Sequence, residues 1–382
     1  MLTRPLPLMF GPRGGRRLRP ALDLNFLAGS LDSRISFTRA STATYFDANG
    51  VMQTVAINAP RFDFDPATLQ PRGLLLEGQA TNFLVRSREF GAGNWFTFGT
   101  VSVAGDAALA PDGTMTADRL TIASGSGIYQ SATVTTGTYA DGIWLRADSN
   151  ISVEIGSNDS GGAFVKTTCN VTTTWKRFFV SRTTAYTALN LQVNGPATVY
   201  AWQGQLESGS VSTSDVFTTT AAVTRSADIC GMSLSSIPGL NGAEGSLYVE
   251  FETLTASNGG NQFVARLSDG TYNNQIAANI QGGGIELATA SGGTYDGLAQ
   301  AGTITAGTIV KFAAAWKAND LAATVNGGSI VADSSATIPT GLTRLDFGHD
   351  HNGSNHVVGL RMRRMRLYPT RQPNAVLQGM TA

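Results

Sequence analysis

The chain has 382 residues, long enough for two or three domains that each bury a core. Charged residues make up only 14% of it, against roughly 25% in an average globular domain, while 44 glycines accompany abundant Ser, Thr and Asn. The formal net charge of zero gives no global pull toward nucleic acid or an acidic membrane. No stretch approaches the about 18 apolar residues of a membrane span, so neither nucleic-acid binding nor membrane insertion is expected.

The chain opens on a basic arm. Arg4, Arg13, Arg16, Arg17 and Arg19 all precede the first acid, Asp23. This reads either as an arm docking on an acidic surface or as a flexible tail. The apolar "LPLMF" is too short for a signal peptide. Clean strand patterns begin further on. "ISVEIGS" sets Ile151, Val153 and Ile155 against Ser152 and Glu154, the two-residue period of a half-buried strand. "LNLQVNG" does the same with Leu189, Leu191 and Val193, and "SLYVEFE" with Leu247, Val249 and Phe251. Helical periodicity is confined to "TRQPNAVLQGMTA", where Pro373 is placed to open one or two turns. Many short strands between Gly, Asn, Asp and Ser turns predict an all-β chain of antiparallel sandwiches or barrels.

Composition divides the chain into residues 1–85, punctuated by Pro and Arg; a strand series over 86–227; a connector over 228–245 holding Pro238; and a second strand series over 246–382. Cys169 and Cys230 are the only cysteines, far apart and in different surroundings, and both read as free thiols. The sparse charge and neutral polar surface suit an extracellular or particle-borne β-protein better than a cytosolic α/β enzyme.

The stretch from Ser36 to Phe90 is more specific. It strings together "FTRAST" (Phe37 to Thr42), a D-x-x-G turn (Asp47 to Gly50), "PRFD" (Pro60 to Asp63) and "GLLLEGQATN" (Gly73 to Asn82). Further on come "APDGTMTADRLT" (Ala110 to Thr121), "IYQSATVTTGTYADGIWLRA" (Ile128 to Ala147), "TTWKRFFVS" (Thr173 to Ser181), "VYAWQGQLESG" (Val199 to Gly209) and "AAVTRSAD" (Ala221 to Asp228). This series resembles the tail-fibre, receptor-binding and head-spike proteins of tailed phages and gene transfer agents. The final segment, with "AAAWKANDLAATVNGG" and "VGLRMRRMRLYPTR", resembles a concanavalin A-like or laminin-G-like sandwich. The resemblance implies a particle-attachment segment over 1–85, a carbohydrate-binding-module-like sandwich over 86–227, a linker over 228–245 and a second sandwich over 246–382. It further implies a homo-oligomeric, non-catalytic adhesin on the particle surface, assembled in the bacterial cytoplasm. Its partners would be host capsular polysaccharide or lipopolysaccharide, with other virion proteins held through residues 1–85. A structural spacer and a glycan depolymerase are the alternatives.

Sugars are held by aromatic faces and by amide, carboxylate and guanidinium groups. In "GIWLRAD", Ile143 and Leu145 should face the core, which turns Trp144 and Arg146 to the opposite face, with Gln130, Glu154, Asn190 and Gln192 as expected neighbours. Trp95, Trp175, Trp202 and Trp316 read as structural. Glu250 and Glu252 lie two apart on one face, short of the E-x-D-x-E pattern of concanavalin-like glycanases, and read as a solvated strand face. The three histidines fall in "GHDHNGSNH". His349, Asp350 and His351 are expected on a hairpin tip within reach of a ligand, with His356 returning across the Asn352–Gly353 turn. A metal site there is the lesser reading, and no metal or other cofactor is expected. Arg361, Arg363, Arg364 and Arg366 alternate with apolar residues except at the Arg363–Arg364 pair, which predicts a bulge. They face either an acidic polysaccharide or acids on neighbouring strands.

Overall fold

The structure, a computed structural model, describes residues 19–162 and 164–382, so Arg4, Arg13, Arg16 and Arg17 of the basic arm lie outside the described residues. The chain is all-β with antiparallel sheets, and its one α-helix among the described residues is Asn374–Thr381. Pro373 is the cap just before that helix rather than its first residue.

Two sheets face each other across the largest core. One runs in the order Val331–Asp333, Leu321–Val325, Val310–Trp316, Gly245–Glu252, Leu360–Tyr368, Pro71–Leu76, Arg61–Phe64, with Leu22–Asn25 also paired to Leu360–Tyr368. The other runs Ser36–Thr38, Ile229–Ser233, Arg344–Phe347, Gln262–Ser268, Gln275–Gln281, Gly284–Ser291, Thr294–Thr303. Between them the alternating Leu247, Val249 and Phe251 meet Leu74, Leu76, Met362, Met365 and Leu367 from one sheet and Ile276, Leu287 and Leu345 from the other. The run "AAAW" breaks alternation because both its faces are covered. Ala314 and Trp316 face the core, while Ala313 and Ala315 pack under Leu377 of the C-terminal helix. Register slips by one residue opposite Glu250 and Phe251, leaving Arg363 as the predicted bulge.

Among the described residues, 19–85 and 228–245 are therefore not structurally separate from the C-terminal sandwich, contrary to the expected division into a segment and a linker. Leu22–Asn25, Ser36–Thr38, Arg61–Phe64, Pro71–Leu76 and Ile229–Ser233 are members of the same two sheets as the C-terminal strands, while Ala43–Phe46 and Met52–Val55 pair only with each other. The short, Pro-interrupted strands of this segment could not reveal partners that lie hundreds of residues away in the chain.

The second sandwich is inserted into the first. Ala80–Asn82 pairs with Val223–Arg225 as a two-stranded neck. Beyond it, Lys176–Thr184, Gly137–Arg146, Ala197–Ser208, Met115–Ile122 and Val101–Leu109 form one sheet. Phe164–Val171, Ile151–Asp159, Ala188–Asn194, Gly127–Thr133 and Phe96–Phe98 form the other. Ile143 and Leu145 meet Ile128, Val153, Ile155, Leu191 and Val193 between them.

Beside the neck lies a cluster of buried charge. Arg61 reaches Glu77 at 2.7 Å and Asp228 at 2.5 Å, Arg39 reaches Asp228 at 3.0 Å, and Arg225 reaches Glu77 at 2.7 Å. All five side chains are at most 1% exposed. Three cations face two carboxylates, and backbone carbonyls take up part of the surplus: Ser41 and Ala56 accept from Arg39, Thr44 from Arg61 and Gly78 from Arg225, while Nε of Arg61 and of Arg225 has no partner. Ser214, at the exit of the insertion, donates to Glu77 through both its amide and its hydroxyl. The cluster thus ties both ends of the insertion to the host sandwich.

Candidate functional site

The strands that bury Ile128, Val153, Ile155, Leu191 and Val193 must turn their alternate residues outward. Register aligns those residues in rows. One row is Phe98, Gly127, Asn194, Glu154; the next is Phe96, Tyr129, Gln192, Gly156; the third is Ser131, Asn190, Asn158, Phe164. Glycine is required twice on this face. A β-carbon on Gly127 would stand 2.6 Å from the Phe98 ring, and one on Gly156 would stand 2.2 Å from the Phe164 ring. Both rings therefore lie across bare backbone. Phe96 is 53% exposed and Phe98 40%, and both lean on Tyr129 with ring centroids 5.9 and 6.4 Å away.

Between the aromatic flanks runs a polar relay. Gln192 donates to Asn194 at 2.5 Å, Asn194 donates to Glu154 at 2.9 Å, and Lys166 pairs with Glu154 at 2.7 Å. The Lys166 hydrogen bond holds the Glu154 carboxyl below its usual range against a smaller opposing effect of burial, so the group is anionic at neutral pH. Asn190 accepts from the Asn158 amide, while the Asn158 side-chain oxygen has no hydrogen-bond partner. Open rings beside amides fixed by one another suit a ligand with an apolar ring face and hydrogen-bonding groups at its edge.

Glu154, Asn190 and Gln192 are thus on one face, as expected, but their expected companions are elsewhere. Trp144 and Arg146 belong to the opposite sheet. Trp144 is buried: its indole nitrogen donates to Asp215 and its ring meets Phe46 edge-on at 5.6 Å. Residues 43–55 and 212–217 cover that sheet face, so an outward position there is not an exposed one. Arg146 is half-buried between Tyr200 and Trp175, 4.5 and 5.7 Å from their rings. Gln130 points inward, where its amide donates to the Val85 carbonyl and its oxygen accepts from the Val85 amide. The aromatic members Phe96, Phe98, Tyr129 and Phe164 were missed. The i, i+2 phenylalanines of "WFTFG" were the available signal, but periodicity alone does not say which sheet a strand joins.

The histidine loop is mostly internal. His349 is 1% exposed; its Nε2 meets the backbone of Cys230 and its Nδ1 the carbonyl of Asp350. Asp350 is buried too, accepting from the amides of Asn352 and Ser354, the Asn355 side chain and the Tyr272 hydroxyl. His356 is half-buried, its Nε2 on the Gly353 carbonyl, and burial pushes its imidazole down to about 4. Of the three predicted contact residues only His351 reaches the surface, edge-on to Tyr272 at 4.5 Å. The C-terminal arginines each find an acid: Arg361 pairs with Asp63, Arg363 with Glu250 and Glu252, and Arg364 and Arg366 with Asp23. Glu252 also holds Arg72, at 2.5 Å.

The chain is a β-sandwich with a second sandwich inserted in it, carrying an open aromatic and amide face. No family model and no curated protein sequence matches it. Solved structures do show partial likeness. TmCBM61, in complex with β-1,4-galactotriose, is 18% identical with a TM-score of 0.27 and spans 33% of this chain and 97% of that one. The bacteriophage CBA120 tailspike protein 4 enzymatically active domain is 16% identical with a TM-score of 0.27, over 33% of this chain and 21% of that one. Domains LG4-5 of the mouse laminin α1 chain are 10% identical with a TM-score of 0.27, over 65% of this chain and 86% of that one.

Proposed function

We infer that the chain is a non-catalytic glycan-binding protein, and that it holds host polysaccharide from the surface of a phage-like particle. The observation that carries the glycan reading is the outer face of the inserted sandwich. There the exposed Phe96 and Phe98 rings and Tyr129 stand beside the Gln192–Asn194–Glu154 relay. Exposed aromatic surface next to fixed hydrogen-bonding groups is costly to leave in water and useful against a sugar ring. The string from "FTRAST" to "TRSAD" supports a virion setting. The absence of catalysis is part of the same reading, since Glu250 and Glu252 are engaged by Arg363 and Arg72.

The test is binding of the full chain to an array of bacterial capsular and lipopolysaccharide glycans, repeated with Phe96→Ala and Tyr129→Ala together. Binding by the parent and its loss in the folded double variant is the expected result. A folded parent that retains no glycan would sink the reading. Particle assembly lost in the double variant, with glycan binding unchanged, would move the face to subunit contact and favour the spacer alternative.

A further inference from the structure

The host sandwich has its own concavity, on the outer face of the sheet that contains Gln275–Gln281 and Gly284–Ser291. It encloses about 480 Å³. The register partners Ala277 and Ala288 make its floor, and the small size of these two side chains is what opens it. Phe263 stands on one side; Tyr295 and Leu298, 57% and 51% exposed, stand on the other.

Three of its polar oxygens lack a donor, while both Asp333 oxygens are already taken, by the Leu298 and Ser335 amides and the Ser335 hydroxyl. Asn279 and Glu286 face each other across the two strands, with the Asn279 amide donating to Glu286 at 2.9 Å. Asn279 is 3% exposed and its side-chain oxygen has no partner. One oxygen each of Asp296 and Asn261, also on the lining, lacks a partner as well. Three carboxyls, Glu286, Asp296 and Asp333, line the cavity, and no lysine or arginine does. Arg266, beneath one end, is committed: it donates to Gln275 and Thr271 and lies over Phe263 and Tyr272. Gln275 in turn donates to the Tyr295 hydroxyl, which fixes that ring at the rim.

Buried oxygens without donors cost about 1–3 kcal/mol each, so a ligand rich in donors is favoured there. An ammonium group supplies three N–H donors and the charge that three carboxyls oppose. The exposed Tyr295 ring at the rim fits the apolar face of a six-membered ring. We propose that this groove is a second glycan site, distinct from the aromatic face of the insertion, and that it binds sugar units carrying a free amino group.

The site can be tested apart from the first. Glucosamine oligomers and N-acetylglucosamine oligomers are titrated calorimetrically into the full chain, the Phe96→Ala/Tyr129→Ala variant, Ala288→Leu and Asp296→Asn. Ala288→Leu fills the groove from its floor; Asp296→Asn removes one charge from its lining. The free-amine oligomer should bind the parent and the aromatic-face variant alike. N-acetylation should weaken it about tenfold or more, the loss of one charged hydrogen bond. Ala288→Leu should abolish binding and Asp296→Asn should weaken it. Equal binding of the two oligomers, no binding, binding that survives Ala288→Leu, or binding lost only in the aromatic-face variant would each overturn the proposal. The last of these results would leave the first site standing.

Discussion

Glu77→Gln removes one charge and almost no volume from the centre of the buried ion cluster. One carboxylate oxygen of Glu77 accepts from Arg61, Arg225 and the Ser214 hydroxyl, and the other accepts from the Ser214 amide. A glutamine keeps one acceptor oxygen and replaces the other with an amide that points donors at donors. Either Arg61 and Arg225 lose this acceptor, leaving Arg225 with no carboxylate, or the Ser214 amide loses its own. Arg39, Arg61 and Arg225 would then face a single carboxylate, that of Asp228. Breaking a buried pair by removing one partner costs about 3–5 kcal/mol, a large part of the about 5–15 kcal/mol that holds an ordinary domain together. Urea unfolding followed by tryptophan fluorescence reads the loss directly. A shift worth under about 1 kcal/mol, the value of a surface pair, would refute the reasoning.

The pH dependence of the same variant gives a second readout. Burial alone would raise the Glu77 carboxyl, but Arg225, Arg61 and Ser214 outweigh it and hold the group far below its usual 4.5. The unfolded chain therefore takes up this proton first as the solution is acidified. The increment is fully present above about pH 4.5 and is lost as pH falls toward the folded-state value. Parent and Glu77→Gln should differ most at neutral pH and converge in acid. A gap that stays constant down to pH ~2 would contradict the linkage.

Other outcomes follow from neighbouring groups. Phe98→Ala should change stability by about 1 kcal/mol or less and weaken glycan binding about tenfold, checked by calorimetry on both properties; unchanged affinity would remove Phe98 from the site. Trp144→Ala should cost about 3–5 kcal/mol in unfolding experiments, because it empties a packed site beneath Phe46 and removes the indole hydrogen bond from Asp215, which keeps only Arg177. Asp141 is fully buried, and burial, only partly countered by Ser157 and Arg182, pushes its carboxyl up to about 8. The folded chain keeps that proton while the unfolded chain releases it near 3.8, so stability falls as pH rises between these values, by up to about 1.4 kcal/mol per unit. Asp141→Asn should thus raise the melting temperature more at pH 8 than at pH 5, and an equal gain at both would count against it. His349→Ala should cost about 1–3 kcal/mol by leaving the buried Cys230 amide unpaired, whereas His351→Ala should cost little.

Two-residue periodicity made the strands legible, and the chemistry of single positions followed where a strand was covered on one side only. Val153, Ile155, Leu191 and Val193 were readable as core for that reason, and Glu154, Asn190 and Gln192 as their outward neighbours. Trp144 failed the same test because a second layer, the hairpin of residues 43–55, covers the outward face of its sheet. Gln130 failed because a polar side chain can face inward when it satisfies backbone, here both groups of Val85. Sheet membership was not legible either. Leu360–Tyr368 pairs with Pro71–Leu76 and with Leu22–Asn25, and alternation within a strand carries no information about so distant a partner.

The strings that carried the resemblance have a physical reading of their own. "FTRAST" supplies Arg39, "PRFD" supplies Arg61, "GLLLEGQ" supplies Glu77, and "TRSAD" supplies both Arg225 and Asp228. These five residues are the whole of the buried ion cluster described above. Such a cluster tolerates little change, since a lysine in place of Arg61 could not span Glu77 and Asp228 at once with a planar fork. The strings therefore mark a joint where one sandwich opens to admit another, and the attachment role expected of residues 1–85 draws no support from them. What the joint does supply is rigidity. Ser214 and Arg225 on the insertion side, and Arg61 and Glu77 on the host side, hold the neck from two directions. If both proposed faces hold sugar, this tie at the neck sets the orientation of one relative to the other, which is the condition for them to act on one polysaccharide chain.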